Sequence, residues 1–196
     1  MIIILGSSSP RRHYFFSLLF DEFQQITPEI DEAPFPDETA LDYALRISSE
    51  KASWITKERV TSDNFFVVTA DTVVSLDNKI LGKPKNRAKA ENMLTRLSGQ
   101  RHEVITSISI ARPAQGSLKI ASDYDVTEVI FKKLSNSVIN RYLDSIDWHD
   151  KAGSYAIQEH PELIISSVNG SISNVVGFPV RVFLKYCALK TPEIFK

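Results

Sequence analysis

Residues 65–76 read FFVVTADTVVSL, an apolar run broken by a single aspartate. β-Branched and aromatic residues favour strands, so residues 65–69 are predicted as one strand and residues 72–76 as a second. Asp71 lies between them, directly after the first apolar run. In α/β folds ligands bind beyond the carboxyl ends of strands, which favours a role for Asp71 in holding a metal or activating a water. A turn aspartate between two strands is the alternative.

The segments on both sides alternate between strand and helix patterns. Further strands are predicted at residues 2–5, 23–26, 79–81, 104–111, 120–131 and 163–168. Asp77-Asn78 is predicted as a hairpin turn, and Pro113 and Gly116 are predicted in the turn after residues 104–111. Helices are predicted from Pro10, from a capping box at Thr39 and Asp42, over residues 88–97 and 138–146, and from Pro179. The second helix has a predicted buried stripe at positions 41, 45, 48, 52 and 55. Helices alternating with strands, and an antiparallel hairpin among them, predict a mixed α/β fold, with residues 1–196 as a single domain.

Composition argues against several classes of protein. Net charge is −1 over 196 residues, so no bulk attraction to nucleic acid or to a membrane surface is expected. The chain has no apolar stretch near the ~20 residues of a membrane helix, and its first residues lack the basic region of a secretion signal. The single cysteine, Cys187, is predicted as a buried helix residue, with a reactive thiol as the alternative. One cysteine excludes an internal disulfide, which is compatible with a reducing cytosol, so a cytoplasmic location is expected.

A candidate anion site follows the first predicted strand. Residues 6–12 read GSSSPRR, in which Ser9 suits a helix N-cap and Pro10 the first helical position. Free backbone N–H groups, the helix dipole and the guanidiniums of Arg11 and Arg12 together favour phosphate oxygens. The alternative is a capped helix with solvated arginines. The segment is not a Walker loop, because no Gly-x4-Gly-Lys-Ser/Thr occurs in the chain.

Weaker signals come from two lysines and two glycine-containing segments. Lys83 follows Gly82 and precedes Pro84, and Lys51 lies beside the apolar stripe of the second helix. Either lysine could neutralise a phosphate, or could belong to an ordinary surface. Residues 151–158 read KAGSYAIQ and residues 174–179 read NVVGFP, where the glycines suggest close backbone approach. The four histidines lack metal-ligand spacing, which argues against a zinc site, and His102 with Glu103 is predicted as a strand-edge pair.

Six segments, in order and at these spacings, resemble the Maf family of nucleotide pyrophosphatases. They are residues 7–12, 71–74, 82–84, 97–102, 151–158 and 174–179. The resemblance implies an α/β/α-like sandwich similar to inosine triphosphatases, with two lobes around a deep cleft, and a homodimer. It also implies hydrolysis of a nucleoside triphosphate to the monophosphate and pyrophosphate with Mg²⁺ or Mn²⁺.

The resemblance assigns roles to particular residues. Asp71 matches the family's catalytic carboxylate, the proton acceptor for the attacking water, and Glu32 matches an acidic position that assists metal binding. Five residues match positions of the phosphate site: Ser7, Arg11, Arg12, Lys51 and Lys83.

The resemblance also suggests the base. The branch of the family with Ile-Gln after Lys-Ala-Gly acts on dTTP and UTP, whereas a branch with Ser-Glu prefers 7-methyl-GTP. This chain has Ile157-Gln158, and a glutamine amide matches the N3–H and O4 edge of uracil and thymine. Arg11, Thr72 and Gln158 correspond to specificity positions of the first branch. A non-catalytic nucleotide sensor linked to arrest of cell division is the rival from another class.

The chain departs from the family pattern at three places. Gly6 replaces the usual alanine, a change expected to be harmless. Ser166 stands where the dTTP/UTP branch often has glutamate, and Glu159-His160-Pro161 stands where a glycine-containing turn is common.

Overall fold

The computed structural model describes residues 1–114, 117–191 and 194. These residues form two compact units, each built from separate stretches of chain. The first unit comprises Met1–Asp71, Thr106–Asp125 and Gly177–Lys196, and the second comprises Thr72–Ile105 and Val126–Val176.

Seven strands are present in the described part of the chain. They are β1 (Ile2–Gly6), β2 (Gln24–Gln25), β3 (Phe65–Leu76), β4 (Lys79–Leu81), β5 (Arg101–Ala114), β6 (Ser117–Phe131) and β7 (Ile165–Asn169). Their order in the sheet is β2-β1-β3-β5-β6-β7, and β4 pairs with β3. β1 is parallel to β2 and to β3, whereas β4 is antiparallel to β3 and β7 to β6. The sheet is therefore mixed, as predicted.

Seven α-helices occur in the same described ranges. They are α1 (Pro10–Ser17), α2 (Ala40–Glu58), α3 (Arg87–Leu97), α4 (Asn136–Ser145), α5 (Pro161–Ile164), α6 (Ile172–Val176) and α7 (Val180–Lys190). Capping side chains fix several starts, because Ser9, Thr39, Asn86 and Ser135 each accept a hydrogen bond from a backbone N–H three residues later. The predicted mixed α/β class is confirmed.

The first unit buries apolar side chains on both faces of its strands. Successive strand residues point to opposite faces, so Phe66 and Val68 of β3 join one cluster and Phe65 and Val67 join another. The first cluster is rich in phenylalanine and includes residues of α1 and α7; Cys187 is buried in it, as predicted. The second cluster includes Ala52 and Ile55 of α2. Within this unit helices therefore cover the two faces of the strands, giving a three-layer arrangement.

Helix α2 packs on a face that differs from the predicted stripe. Ser48, Ala52 and Ile55 are buried as expected, but positions 41 and 45 are only half-buried and Ala44 and Ile47 are buried instead. Polar contacts fix this orientation: Thr69 Oγ1 donates to the Ser48 carbonyl at 2.6 Å. The rotation also brings Lys51 into the buried face.

Strand β3 continues through Asp71, so the prediction of two strands broken at this residue was wrong. The backbone is extended throughout residues 65–76, and a polar side chain does not by itself interrupt the hydrogen bonds between neighbouring strands. The parallel neighbour does end here, because the last β1 pair joins Gly6 to Thr69. Asp71 lies two residues further on, about 7 Å past that pair. It therefore still lies beyond the carboxyl end of a strand, but that strand is β1.

The second unit has its own apolar core. Helices α3 and α4 contribute Leu94, Leu97 and Tyr142, which pack with Val129 and Phe131 of β6. His102 was expected at a strand edge, but it is only 2% exposed. Residues 101–104 alternate exposed and buried, which turns His102 inward, and its Nε2 lies 2.9 Å from the Tyr155 hydroxyl.

Smaller differences concern turns. Asp77 and Asn78 have positive φ, as the predicted hairpin requires. Pro113 was placed in the following hairpin turn, but it lies within β5, and Gly116 of that turn lies outside the described residues. The strand predicted at residues 163–168 begins as helix α5 and becomes β7 only at Ile165. In the described residues no helix has the length and apolar character to cross a membrane.

Gly6 is closely surrounded by side chains of α2 and β3, which gives glycine at this position a steric reason. A Cβ at residue 6 would lie 2.3 Å from Ile55 Cδ1 and 2.5 Å from Thr69 Cγ2. Thr69 is β-branched and is held by its hydrogen bond to Ser48, so it cannot turn away freely. Ile55 and Thr69 therefore leave no space for a methyl group at residue 6 unless their side chains shift.

We therefore expect Gly6→Ala to lower the free energy of unfolding by about 1–3 kcal/mol, the usual cost of overpacking. Urea unfolding followed by circular dichroism measures it. Gly82→Ala is the matched control, because nothing lies within 4 Å of a Cβ built there. Equal stability of Gly6→Ala and the wild-type protein would contradict the steric argument.

Candidate active site

The turn after β1 is organised around Ser7 and Arg12. Ser7 Oγ accepts from the Ser9 backbone N–H at 3.2 Å and from Arg12 Nη1 at 3.2 Å. Arg12 Nε donates to the Gly177 carbonyl at 2.9 Å. The alternative of solvated arginines therefore does not describe Arg12, which is fixed in the first turn of α1 by Ser7 and by the Gly177 carbonyl in the segment before α7.

Positive charge is concentrated at this turn. Burial lowers the pKa of Arg12, the negative charge of Asp71 opposes that shift, and the neighbouring Arg11 reinforces it. Arg11 and Arg12 are thus close enough to repel each other, and Arg12 is close enough to Asp71 to attract it. An anion bound at the start of α1 would relieve the repulsion between the guanidiniums.

Lys51 joins the two candidate carboxylates of the first unit. Its Nζ lies 2.9 Å from Asp71 Oδ1 and 2.7 Å from Glu32 Oε1. The side chains of Lys51 and Asp71 are 9% and 10% exposed, whereas that of Glu32 is 45% exposed. One buried ammonium therefore holds a buried carboxylate on β3 and a more accessible one on the loop before α2.

Burial dominates the electrostatics of Asp71. Desolvation raises its pKa above the ordinary 3.8; Lys51 and Arg12 oppose the shift, and Glu32 adds to it. A carboxylate with a raised pKa is a better proton acceptor than an exposed one. The arrangement of a buried carboxylate, an adjacent ammonium and a guanidinium-lined turn suits attack of water on a phosphate.

The remaining predicted site residues, Thr72, Lys83 and Gln158, belong to the second unit. Thr72 is half-buried and follows Asp71 in β3, and the side chains of Lys83 and Gln158 are exposed. The Gly153 N–H donates to the Gly82 carbonyl at 3.1 Å, which brings the Gly-Lys-Pro and Lys-Ala-Gly segments together. The suspected close backbone approach is thus present at Gly153, whose absent Cβ would meet Val74 at 3.2 Å.

Sequence reasoning missed a second buried lysine. Lys151 is 7% exposed and donates to the Asp147 carbonyl, and its Nζ lies 3.2 Å from Asp150 and 3.5 Å from Glu159. These contacts close the loop on which Gln158 lies. The acidic residues at positions 147, 150 and 159 around the Lys-Ala-Gly segment were the available signal.

Known proteins resemble this chain over nearly its whole length. The sequence model of the family described as Maf-like protein matches residues 2–189. This chain belongs to the Maf family. A relative from Clostridioides difficile, named dTTP/UTP pyrophosphatase, is 41% identical over 180 residues, which are 92% of this chain and 90% of the relative. A relative of the same name from Thermotoga petrophila is 37% identical over 188 residues, covering 95% and 88%.

Among solved structures, a nucleoside-triphosphatase, dITP/XTP pyrophosphatase, from Mycobacterium abscessus matches at 14% identity with a TM-score of 0.40. The match covers 68% of this chain and 76% of that one. A likeness of this size is too weak to bear on fold or activity.

Some Maf motif residues have structural explanations. Asn174 is fully buried and its Nδ2 donates to the Val104 carbonyl and to Thr127 Oγ1, each at 2.9 Å. It therefore ties the segment before α7 to β5 and β6. Ser166, where the branch often has glutamate, is exposed; Ile130 pairs with Ser167 and Phe131 with Ile165, so Ser166 is the extra residue of a β-bulge.

The departure from the Maf pattern at residues 159–161 carries backbone strain. His160 has φ 50° and ψ 44°, the left-handed conformation that glycine adopts without penalty. The residue also precedes Pro161, which further restricts its backbone. A glycine-containing turn at this point is thus what the local conformation favours, and histidine occupies it under strain.

We expect His160→Gly to raise the free energy of unfolding by about 0.5–1 kcal/mol, because it removes a left-handed non-glycine residue. His160→Ala is the control, since both variants lose the imidazole contact to Glu162 but only alanine keeps a Cβ. The free energy of unfolding of both variants, measured by chemical denaturation, distinguishes relief of backbone strain from loss of the imidazole. Equal stabilisation by alanine would assign the effect to the side chain and not to the backbone.

Proposed function

We propose that this Maf protein hydrolyses dTTP and UTP between the α and β phosphates, giving the nucleoside monophosphate and pyrophosphate. One observation carries the proposal: a buried carboxylate, Asp71, is ion-paired to Lys51 and lies within electrostatic reach of Arg12 at the turn after β1. A relative that is 41% identical to this chain, over 92% of the chain's length, is named for that activity.

Asp71 is the proton acceptor. The oxygen of the attacking water bonds to the α phosphorus, its proton passes to the Asp71 carboxylate, and the bond to the pyrophosphate leaving group breaks. Burial keeps the pKa of Asp71 raised, which strengthens it as a base. Lys51, at 2.9 Å from Oδ1, holds the carboxylate in one orientation before substrate arrives.

The turn after β1 binds the triphosphate. Ser7, Arg11 and Arg12 present a hydroxyl and two guanidiniums at the start of α1, and Arg12 is held rigidly by Ser7 and Gly177. Cationic groups fixed before the reaction stabilise charge as it develops on the leaving group. Lys83 is proposed to add a further positive charge.

The carboxylates fit a divalent cation of the Mg²⁺ type. A carboxylate oxygen of Glu32 and one of Asp71 lie 2.7 and 2.9 Å from the Lys51 ammonium, so the two carboxylates are close to each other and to one positive charge. Mg²⁺ is usually held by one or two carboxylates, completing its shell with waters and substrate phosphates. Within the described ranges no cluster of three His, Cys, Asp or Glu side chains suggests a closed metal site. We propose that Glu32 and Asp71 hold Mg²⁺ or Mn²⁺, which supplies positive charge to the phosphates.

Gln158 is proposed to select the base. Its amide can accept from N3–H and donate to O4, the edge that uracil and thymine share. Thr72 and Arg11 are the other proposed specificity residues. The ordered loop around Lys151 supports this role, because it restrains the segment that precedes Gln158.

We expect Asp71→Asn to lower kcat by about 10²–10⁴-fold, the usual contribution of a general base. Pyrophosphate release from dTTP measures it, and Asp63→Asn, at an exposed position before β3, is the matched control. A general base acts in its deprotonated form, and burial raises the pKa of Asp71 above the ordinary 3.8. Wild-type kcat/KM should therefore fall as the pH is lowered, and the fall should begin at a higher pH than for an exposed aspartate. Turnover of Asp71→Asn within a few-fold of wild type would refute the assignment.

We expect dTTP and UTP to be preferred over CTP, dATP, GTP and 7-methyl-GTP in pyrophosphate release with Mg²⁺ or Mn²⁺. Gln158→Glu removes the donor to O4 and should lower kcat/KM for UTP by about 10–100-fold. Gln100→Glu, an exposed residue of the same unit, is the control. Preference for 7-methyl-GTP would overturn the role of Gln158, and binding without release from any nucleotide would favour a sensor.

A further inference from the structure

The segment that carries Glu32 lies outside helices and strands. It runs between Gln25, the end of β2, and Ala40, the start of α2. The side chain of Glu32 is 45% exposed, yet its carboxylate lies 2.7 Å from Lys51 Nζ. An ion pair with one exposed partner is weak and does not fix a loop. Other contacts must therefore determine where Glu32 lies.

Arg46 and Glu38 form the strongest of these contacts. Arg46 Nε lies 2.6 Å from Glu38 Oε1, and Arg46 Nη2 donates to Glu38 Oε2 at 2.8 Å. The pair is bidentate and mostly buried, with side-chain exposures of 17% and 8%. Hydrogen bonds from Arg46 hold the pKa of Glu38 below its ordinary value, so the carboxylate stays charged. Planar bidentate pairs fix orientation as well as distance.

The same two side chains hold the backbone next to Glu32. Arg46 Nη2 also donates to the Ala33 carbonyl at 3.1 Å, and the Phe35 ring lies 4.0 Å from the guanidinium carbon. Glu38 Oε2 accepts from the Phe35 backbone N–H at 3.0 Å. Contacts on the loop therefore run from residue 33 to residue 38 and converge on one guanidinium.

Tyr43 holds Glu32 itself. Its hydroxyl donates to the Glu32 carbonyl at 2.8 Å. The backbone of Glu32 is thus anchored to α2 directly.

All these anchors stand on one face of α2. Tyr43, Arg46 and Glu50 follow at intervals of three and four, and Lys51 lies on the next turn. Both carboxylate oxygens of Glu50 also accept from Arg46 Nη1, at 3.4 and 3.2 Å. One rigid helix therefore fixes the loop backbone and the ammonium that receives the Glu32 carboxylate.

We propose that Arg46, with Glu38, is a positioning residue that places Glu32 for the reaction. The inference rests on the proposed function, since it assigns Arg46 a role in that chemistry through Glu32. The proposed role of Arg46 runs through the loop backbone at Ala33 and not through contact with the substrate. A lysine at this position keeps the charge but cannot make the bidentate pair and the bond to Ala33 together.

The first test compares Arg46→Lys with the wild-type protein. Misplacement of a group that orients the reaction lowers the rate by about ten- to a hundredfold. We expect a loss of this size in kcat for dTTP, with KM changed less. Arg87→Lys is the matched control, because Arg87 also pairs with two carboxylates, Glu91 and Asp144, and belongs to the other unit. It should retain wild-type kcat.

A double-mutant cycle separates positioning from general destabilisation. If Arg46 acts through Glu32, Arg46→Lys should change kcat less than twofold in a Glu32→Gln background. Glu38→Gln should give the same pattern from the other side of the pair. Losses that multiply in the double variant would overturn the proposal, because residues acting independently have additive free energies.

A second measurement does not depend on activity. A Glu-specific protease can cut after the exposed Glu29, which remains in every variant. We expect faster cleavage there in Arg46→Lys and Glu38→Gln than in wild type or Arg87→Lys, because the released loop opens more often. Unchanged cleavage would refute the restraint. If the wild-type protein releases no pyrophosphate, the proposed function fails. The rate of proteolysis after Glu29 still shows whether Arg46 holds the loop.

Discussion

The contact between the Lys51 ammonium and the carboxylates of Asp71 and Glu32 constrains much of the first unit. A buried carboxylate is costly unless it is paired, so Asp71 at its buried position on β3 requires a cation that reaches it. The side chain of Lys51 reaches Asp71 only if α2 is turned so that Ser48, Lys51 and Ile55 face the strands. The hydrogen bond from Thr69 to the Ser48 carbonyl holds that rotation. The bulk of Ile55 on the same face is, in turn, one reason that glycine fits at residue 6.

Unequal strand lengths create the place where this charge cluster can act. β1 ends at Gly6 while β3 continues past Asp71, so the carboxylate stands beside the turn that leads into α1. Ser7 and Arg12 belong to that turn, and Arg12 is braced by the Gly177 carbonyl from the segment before α7. Opposite charges thus come together because neighbouring parallel strands end at different residues, a feature of the ladder rather than of any one motif.

Part of this site could be predicted from sequence. Ser9 and Pro10 mark a helix start by local chemistry, and Asp71 stands out as one charge in an apolar run, so each was found without coordinates. Arg46, Glu38 and Tyr43 were not found, because an arginine and a tyrosine on an amphipathic helix, and a glutamate just before it, are ordinary surface residues by pattern. Their importance comes from a loop without regular structure folding over them. His102 and Lys151 were missed similarly: burial of a polar side chain depends on partners that are distant in sequence.

The sequence by itself determined the mixed α/β class, the capped helices and the family, because capping, strand propensity and motif order are local or linear properties. The tertiary structure decided which charges meet. Whether β3 stops or continues at Asp71 depends on pairing, and whether Lys51 is buried depends on the rotation of α2. The need for glycine at residue 6 depends on two side chains that lie 49 and 63 positions further along the chain, at Ile55 and Thr69. Such properties follow from contacts between segments, which a linear pattern does not specify.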